Sequence, residues 1–296
     1  MNPSSCPLCK KDNPTLYWSK VWHDDRACVY QCDTCGVYFV WPTWEESETV
    51  EYYSSYTDHL HQRGVAQNET PNQTYHRRKS LNQYRMQAVK KYIRFDDRVM
   101  EIGGGCGNFL VDLIENKITK DPVLIESCSD HLEYAKTRFN IEGYQEISKV
   151  KYNFNKIFMF HVLEHLIMPG SLLRNCSPFL NDKGLIVVEV PSSDDPLISL
   201  YDCAAYKDFY FQPMHPYIYN KKSLEFLFRQ CGYRVVEFIG VQRYSLSNHL
   251  QWLVKGIPGG NADLAEALGE ECETAYKNRM QSRGTTDTLF GIFQKG

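Results

Sequence analysis

From Arg98 to Val190, short apolar runs alternate with amphipathic stretches, and this alternation constrains the fold more than any other feature of the chain. Val99–Ile102, Val123–Ile125, Ile157–Phe160 and Leu185–Val190 have the length and composition of buried strands. Asn108–Asn116, Asp130–Phe139 and Ser171–Leu180 carry apolar residues at helical spacing. Strands separated by helices form a parallel sheet with right-handed crossovers, so an α/β class is expected. In such sheets ligands bind beyond the carboxyl ends of the strands, which is where chemistry is to be sought.

The pattern continues with a helix over Ser223–Cys231, for which Ser223 can serve as N-cap and Gly232 as the left-handed stop. A strand at Tyr233–Val241 follows, and a last apolar run at Thr288–Phe293. Between them lie helix-like pieces at Leu246–Val254 and Ala262–Met280, read as a helical insertion before the final strand. The expected organisation is a small module over 1–45, a linker and entry helix over 46–94, a core over 95–241, and the insertion with the final strand over 242–296. With 296 residues, 43% of them hydrophobic, the chain can bury one sizeable core and a smaller piece.

A net charge of −3 offers no global attraction to phosphate backbones, so nucleic acid is not the expected partner. No apolar run approaches the roughly 18–20 residues of a membrane span, and the first residues lack the charged-then-apolar order of an export signal. The expectation is a cytoplasmic protein without a membrane partner. Four of the eleven cysteines then fall as two close pairs, Cys6-Pro7-Leu8-Cys9 and Cys32-Asp33-Thr34-Cys35-Gly36. Paired knuckles in a segment too small to fold on apolar burial suit a closed tetrahedral thiolate site, so Cys6, Cys9, Cys32 and Cys35 are expected to hold a structural Zn²⁺. Cys28 and His23 are near in sequence but belong to neither knuckle.

The strand Val99–Ile102 runs into Gly103-Gly104-Gly105-Cys106-Gly107, a G-x-G-x-G turn ahead of a helix. Glycine suits a tight reversal where a ligand must approach the backbone. Asn108 stands where a dinucleotide fingerprint would place its third glycine, which favours a different nucleoside cofactor. At the end of the second strand comes Glu126, 19 residues past Gly107, placed to accept hydrogen bonds from both ribose hydroxyls. Glu101, Gly103, Gly105, Gly107, Glu126 and His161 are the candidate cofactor-binding residues.

The segments EIGGGCG, LIES and FNKIFMFHVLEHL resemble the first, second and fourth strand motifs of class I S-adenosylmethionine-dependent methyltransferases, and HVLEH resembles one subgroup of them. The resemblance runs from about Arg94 to Val241. It implies a Rossmann-like sheet of seven strands, six parallel and one antiparallel, with S-adenosylmethionine as cofactor and methyl transfer by in-line displacement at the sulfonium. Asn155 stands where that subgroup usually has an aspartate. Gln145 or Glu146, after the third strand, could hold the adenine. A zinc module ahead of such a core is similar to the sugar C-methyltransferases, which implies a small polar acceptor such as a nucleotide-linked sugar or a surface-glycan or secondary-metabolite precursor.

His161 and His165 flank Glu164 just after the fourth strand, where His161 can face the methyl group or merely pack with Val162, Leu163 and Leu166. His215 lies in the loop Pro213–Tyr219; the sugar C-methyltransferases place a glutamate before a histidine base here, and this chain has Met214. His215 is the first candidate for the catalytic base and His161 the second. Tyr217, Tyr244, Asn248 and His249 are candidate acceptor contacts, since rings beside amides suit a polar, ring-bearing molecule. The run Arg77–Arg94 has seven Lys/Arg and no acid, and is either a grip for a phosphate-bearing acceptor or a solvated helix face. The competing readings are an RNA methyltransferase and a module that binds S-adenosylmethionine without catalysis.

Overall fold

A computed structural model of the chain describes residues 2–45, 47, 48, 69–119 and 121–296; much of the expected linker lies outside these. Three short strands open the chain: β1 (Thr15–Trp18), β2 (Cys28–Gln31) and β3 (Tyr38–Trp41), paired antiparallel. The entry segment is two helices, α1 (Pro71–Arg78) and α2 (Asn82–Val89), joined and followed by single 3₁₀ turns. Thr70 and Gln73 form a reciprocal capping box with Pro71 at the first helical position, which fixes where α1 starts.

The core then alternates as expected: β4 (Val99–Ile102), α3 (Asn108–Glu115), β5 (Val123–Ile125), α4 (Ser129–Phe139), β6 (Glu142–Tyr144), β7 (Phe154–Phe160), α5 (Pro169–Cys176) and β8 (Leu180–Pro191). Two short helices, α6 (Pro196–Ser199) and α7 (Ala204–Tyr210), precede the two-residue strand β9 (Tyr217–Ile218). Helix α8 (Lys221–Gln230), β10 (Tyr233–Val241), α9 (Leu246–Lys255), α10 (Ala262–Arg283) and β11 (Thr288–Lys295) complete the chain.

The main sheet has seven strands in the order β10-β11-β8-β7-β4-β5-β6, and β11 runs antiparallel to both its neighbours. The remaining pairs, β4 with β5 and β7, β5 with β6, and β7 with β8, are parallel. Six strands therefore point one way and one the other. Along β7, Ile157 and Met159 join one core layer while Phe158 and Phe160 join the other, so the strand is buried on both faces and reads as an unbroken apolar run.

Two details depart from the sequence reading. Asn220, not Ser223, caps α8; Ser223 is the third helical residue and returns the bond to the Asn220 backbone. The basic run Arg77–Arg94 does not present a single solvated face, because Arg85 turns inward to the buried carboxylate of Glu189 at 2.6 Å.

The N-terminal strands are not an isolated piece. Strand β9 pairs antiparallel with β3, giving a four-stranded sheet β1-β2-β3-β9, and Cys6, Cys32, Cys35, Val37 and Phe39 share a buried cluster with Tyr217, Tyr219 and Leu224.

Candidate functional site

The turn after β4 is built on positive φ: Gly103 at +71°, Gly105 at +57° and Gly107 at +75°. A Cβ on Gly103 would sit 2.8 Å from Val162 Cγ2, so the conformation and the space both exclude a side chain. The Gly105 N–H donates to Glu126 Oε2 at 2.7 Å and the Cys128 N–H to Oε1 at 2.9 Å, which stretches the carboxylate across the crevice between the ends of β4 and β5. Oε2 keeps a second lone pair and Oε1 is otherwise met by the Ser127 hydroxyl at a long 3.4 Å, so the carboxylate can accept from two vicinal hydroxyls.

Under the turn lies Glu101, 2% exposed, with Oε2 buried and without a hydrogen-bond partner. Burial pushes its carboxyl up to about 7, against the pull of Arg85 and with the push of Glu126. An orphaned buried acceptor at the mouth of a glycine turn suits an ammonium group that the free protein lacks. Gln145 and Glu146 follow β6 and line a separate cleft with Tyr144 and Lys149; the Gln145 amide donates to the Ser127 carbonyl at 3.2 Å.

At the end of β7, His161 takes a left-handed φ of +56°. Both ring nitrogens meet carboxylates: Nδ1 is 2.8 Å from Glu164 Oε1 and Nε2 is 3.2 Å from Glu189 Oε1. Burial works against a charged ring, but Glu189 and Glu164 together hold His161 above its ordinary value. Glu189, on β8, also accepts from Tyr84 Oη and Arg85 Nε at 2.6 Å each. Despite burial, the charges of His161 and Arg85 keep its carboxyl well below the usual range.

Beyond His161 opens a cavity of about 480 Å³ whose walls include Tyr206, Tyr210, Tyr244 and Trp252, with His161, His215 and Asn248 among the polar groups. The Tyr206 hydroxyl donates to Asp195 Oδ2 at 2.8 Å, and burial pushes Asp195 up to about 7. Arg243, the only Lys or Arg among the described residues lining the cavity, is paired with Asp287 at 3.2 Å. The His165 and His215 rings meet edge to face at 4.7 Å, and with Glu164 they bring three donor atoms within 4.8 Å of one another.

The structure therefore brings His161, His215, Tyr244 and Asn248 to one cavity and leaves Tyr217 and His249 outside it. Tyr217 is buried against the N-terminal strands, its hydroxyl donating to the Ile167 carbonyl at 3.1 Å. His249 is fully buried behind the wall, its Nδ1 2.7 Å from Tyr276 Oη, and burial pushes it down to about 4. Glu189 and Asp195 were not singled out from the sequence. Each carried a signal, Glu189 as a carboxylate inside the apolar run Leu185–Val190 and Asp195 in the loop that follows.

In the N-terminal module, Cys6 Sγ and Cys35 Sγ are 3.8 Å apart and Cys9 Sγ and Cys32 Sγ 3.5 Å. All four sulfurs lie within 4.8 Å of one another. Thiolates about 2.3 Å from a tetrahedral zinc sit roughly 3.8 Å apart, so the cluster fits that ion. A hydrogen bond with Cys35 brings the Cys6 thiol down to about 5.

The family profile described as a methyltransferase domain matches residues 73–238, more than half of the 296-residue chain. The chain belongs to that methyltransferase family. Among solved structures, a SAM-dependent methyltransferase from Archaeoglobus fulgidus superposes with a TM-score of 0.51 at 18% identity, over 73% of this chain and 94% of that one. The plantazolicin methyltransferase BamL, solved with a triazolic desmethylPZN analogue and SAH, gives a TM-score of 0.46 at 15% identity, over 85% and 91%. The first likeness shows the fold, that of the SAM-dependent methyltransferases. A search of curated protein sequences finds no match.

Proposed function

We propose that this chain transfers the methyl group of S-adenosylmethionine to a small polar acceptor held in the cavity beyond His161, the preferred class being a sugar or a glycan or secondary-metabolite precursor. The observation that carries the reading is the crevice between β4 and β5. Glu126 is held across it by two backbone amides, above the glycine turn and the orphaned oxygen of Glu101. These groups suit, in order, the ribose hydroxyls, the close approach of the methionine chain and its ammonium. When bound, the cofactor supplies a methyl group already activated by the positive sulfur, so the protein must align the acceptor and relieve it of a proton.

Tyrosine and tryptophan faces beside Asp195 and Asn248 suit a hydroxylated ring. A phosphate attached to it would lie outside the cavity, since Arg243 is committed to Asp287. An RNA acceptor would call for a basic surface that this lining does not offer. His215, on the cavity wall, is the group we assign to take the acceptor's proton. His161, clasped at both nitrogens, orients rather than abstracts. In the N-terminal module we assign Cys6, Cys9, Cys32 and Cys35 as ligands of a structural zinc.

Calorimetry with S-adenosylhomocysteine, followed by a labelled-methyl screen against cell-extract small molecules, tests the reading. Binding in the micromolar range and label in a small-molecule fraction are expected. His215→Ala should then lower turnover by on the order of 10²–10⁴ with cofactor affinity unchanged. No heat with either cofactor form would overturn the cofactor assignment; binding without transfer to any acceptor would leave a module that only binds it.

A further inference from the structure

Glu164 is a buried carboxylate that the reading above uses only in half. It is 1% exposed; Oε1 meets His161 Nδ1 at 2.8 Å, and Oε2 is buried without a hydrogen-bond partner. An anion buried with one oxygen unmet is short of a cation or a donor. Two imidazoles stand beside it. His165 closes the same 3₁₀ turn, Leu163–His165, that carries Glu164 after β7, and His215 comes from the loop ahead of β9. One carboxylate oxygen and one nitrogen from each ring lie within 4.8 Å of one another. Both rings are also oriented from behind. His165 Nδ1 is 3.0 Å from the Met214 carbonyl, which can only accept, so Nδ1 carries the proton and the lone pair of the neutral ring is on Nε2. Metal-binding histidines are commonly set this way, with the far N–H on a backbone carbonyl. The Gln212 amide nitrogen lies 3.1 Å from His215 Nδ1 and 3.4 Å from Nε2; a half-turn of that amide brings its oxygen round to accept Nδ1–H, which leaves the Nε2 lone pair to a ligand.

We propose that Glu164, His165 and His215 bind an exchangeable divalent transition-metal ion at the wall of the acceptor cavity. Two imidazoles and one carboxylate suit the borderline first-row ions from Mn²⁺ to Zn²⁺, and three protein ligands leave further positions for water or an acceptor oxygen. The site is separate from the four cysteines, which make a closed thiolate set. His215 belongs to the cavity wall and so ties the ion to the acceptor side. The inference rests on the reading of that cavity as the acceptor site, and it says how His215 serves the acceptor's proton. A hydroxyl coordinated to the ion gives its proton to water at a lower pH than a free one does. The alkoxide left behind takes the methyl group while the C–S electron pair returns to sulfur.

Mn²⁺ is the probe, because it takes imidazole and carboxylate ligands and leaves a thiolate site to zinc. Free Mn²⁺, followed by electron paramagnetic resonance as the ion is titrated into the full zinc-loaded chain, should report about one bound ion per chain in the micromolar range. His165→Ala, His215→Ala and Glu164→Gln should each weaken that binding at least tenfold. Their affinity for S-adenosylhomocysteine, expected within a few-fold of the wild type, shows that the core is folded. A wild type that binds no Mn²⁺, or variants that hold it as the wild type does, would overturn the site. In the label-transfer assay, Mn²⁺ added to the dialysed wild-type chain should raise transfer at least tenfold and should leave His165→Ala unchanged. Equal transfer by the wild type with and without the ion would overturn the part given to it in the reaction. A chain that binds Mn²⁺ but not S-adenosylhomocysteine would uphold the metal site and overturn the cofactor reading instead.

Discussion

The ring of His161 is the most constrained polar group at the sheet edge, held at both nitrogens by the buried carboxylates of Glu164 and Glu189. Its raised value in the folded state means that the stability it contributes is fully present below its unfolded value near 6.5. That contribution fades as pH rises through the folded value. The depressed Glu189 has the opposite sign: its contribution is present above the unfolded carboxyl value near 4.3 and fades as pH falls towards the folded one. The pair is therefore worth most between about pH 4.3 and 6.5. His161→Asn, which tolerates the left-handed backbone, should lie furthest below the wild type in urea midpoint near pH 5.5, and the gap should narrow above pH 7. A gap that stays constant from pH 5 to 9 would show that the ring is not charged. Glu189→Gln should cost more, about 3–5 kcal/mol, because it leaves Arg85 without its buried counter-charge and takes one of two carboxylates from the imidazolium. At this scale the sequence shows His161 and Glu164 through their spacing after β7. It hides the clasp, because pairing Glu189 with His161 requires knowing that β7 and β8 are neighbours.

Helix α8 shows how a short element serves two parts of the molecule. Its N-cap Asn220 accepts from the Ser223 N–H at 3.0 Å and donates through Nδ2 to the Gly36 carbonyl at 2.9 Å, at the end of the second cysteine knuckle. Asn220→Ala removes a cap and a tie between the core and the module at once. It should lower stability by about 1–2 kcal/mol in chemical denaturation, and Asn220→Asp, which keeps the cap but cannot donate to Gly36, should lose only part of that. Equal losses for the two variants would leave the cap without a role. Most elements were readable as periodicity, because β4, β5, β7 and β8 are apolar on both faces and the intervening helices are amphipathic. Strand β6 was not. Glu142-Gly143-Tyr144 has one buried residue and belongs to the sheet only because β5 lies beside it. Strand β9 escaped for the same reason: two residues carry no period, and their partner β3 lies far upstream in the chain.

Across the whole molecule the N-terminal module forms the back wall of the loop that we propose to face the acceptor. The segment from α7 to β9 carries His215, and the module grips it at both ends. The Trp22 N–H donates to the Phe211 carbonyl at 2.7 Å, Trp18 Nε1 to Asp208 at 2.8 Å, and the Val40 N–H to the Pro216 carbonyl at 3.1 Å, one residue past His215. Beyond that, β9 completes the module's sheet. Cys6, Cys32 and Cys35 lie in the same buried cluster as Tyr217 and Tyr219, with Cys9 packed against it, so whatever fastens the cysteines fastens this loop. A module this small would depend for folding on the zinc that we assign to its four cysteines. Zinc removal should therefore reach the acceptor side and spare the cofactor crevice, whose β4 and β5 lie in the other sheet. Chelation of the purified chain, or the Cys32→Ser, Cys35→Ser double variant, should release about one zinc per chain and raise hydrogen exchange over residues 204–219. Turnover should fall while affinity for S-adenosylhomocysteine stays within a few-fold of the wild type. A double variant that keeps its zinc would refute the ligand set. A zinc-free chain whose loop exchanges as slowly as before would refute the wall, and would leave His215 positioned by α7 and the core alone.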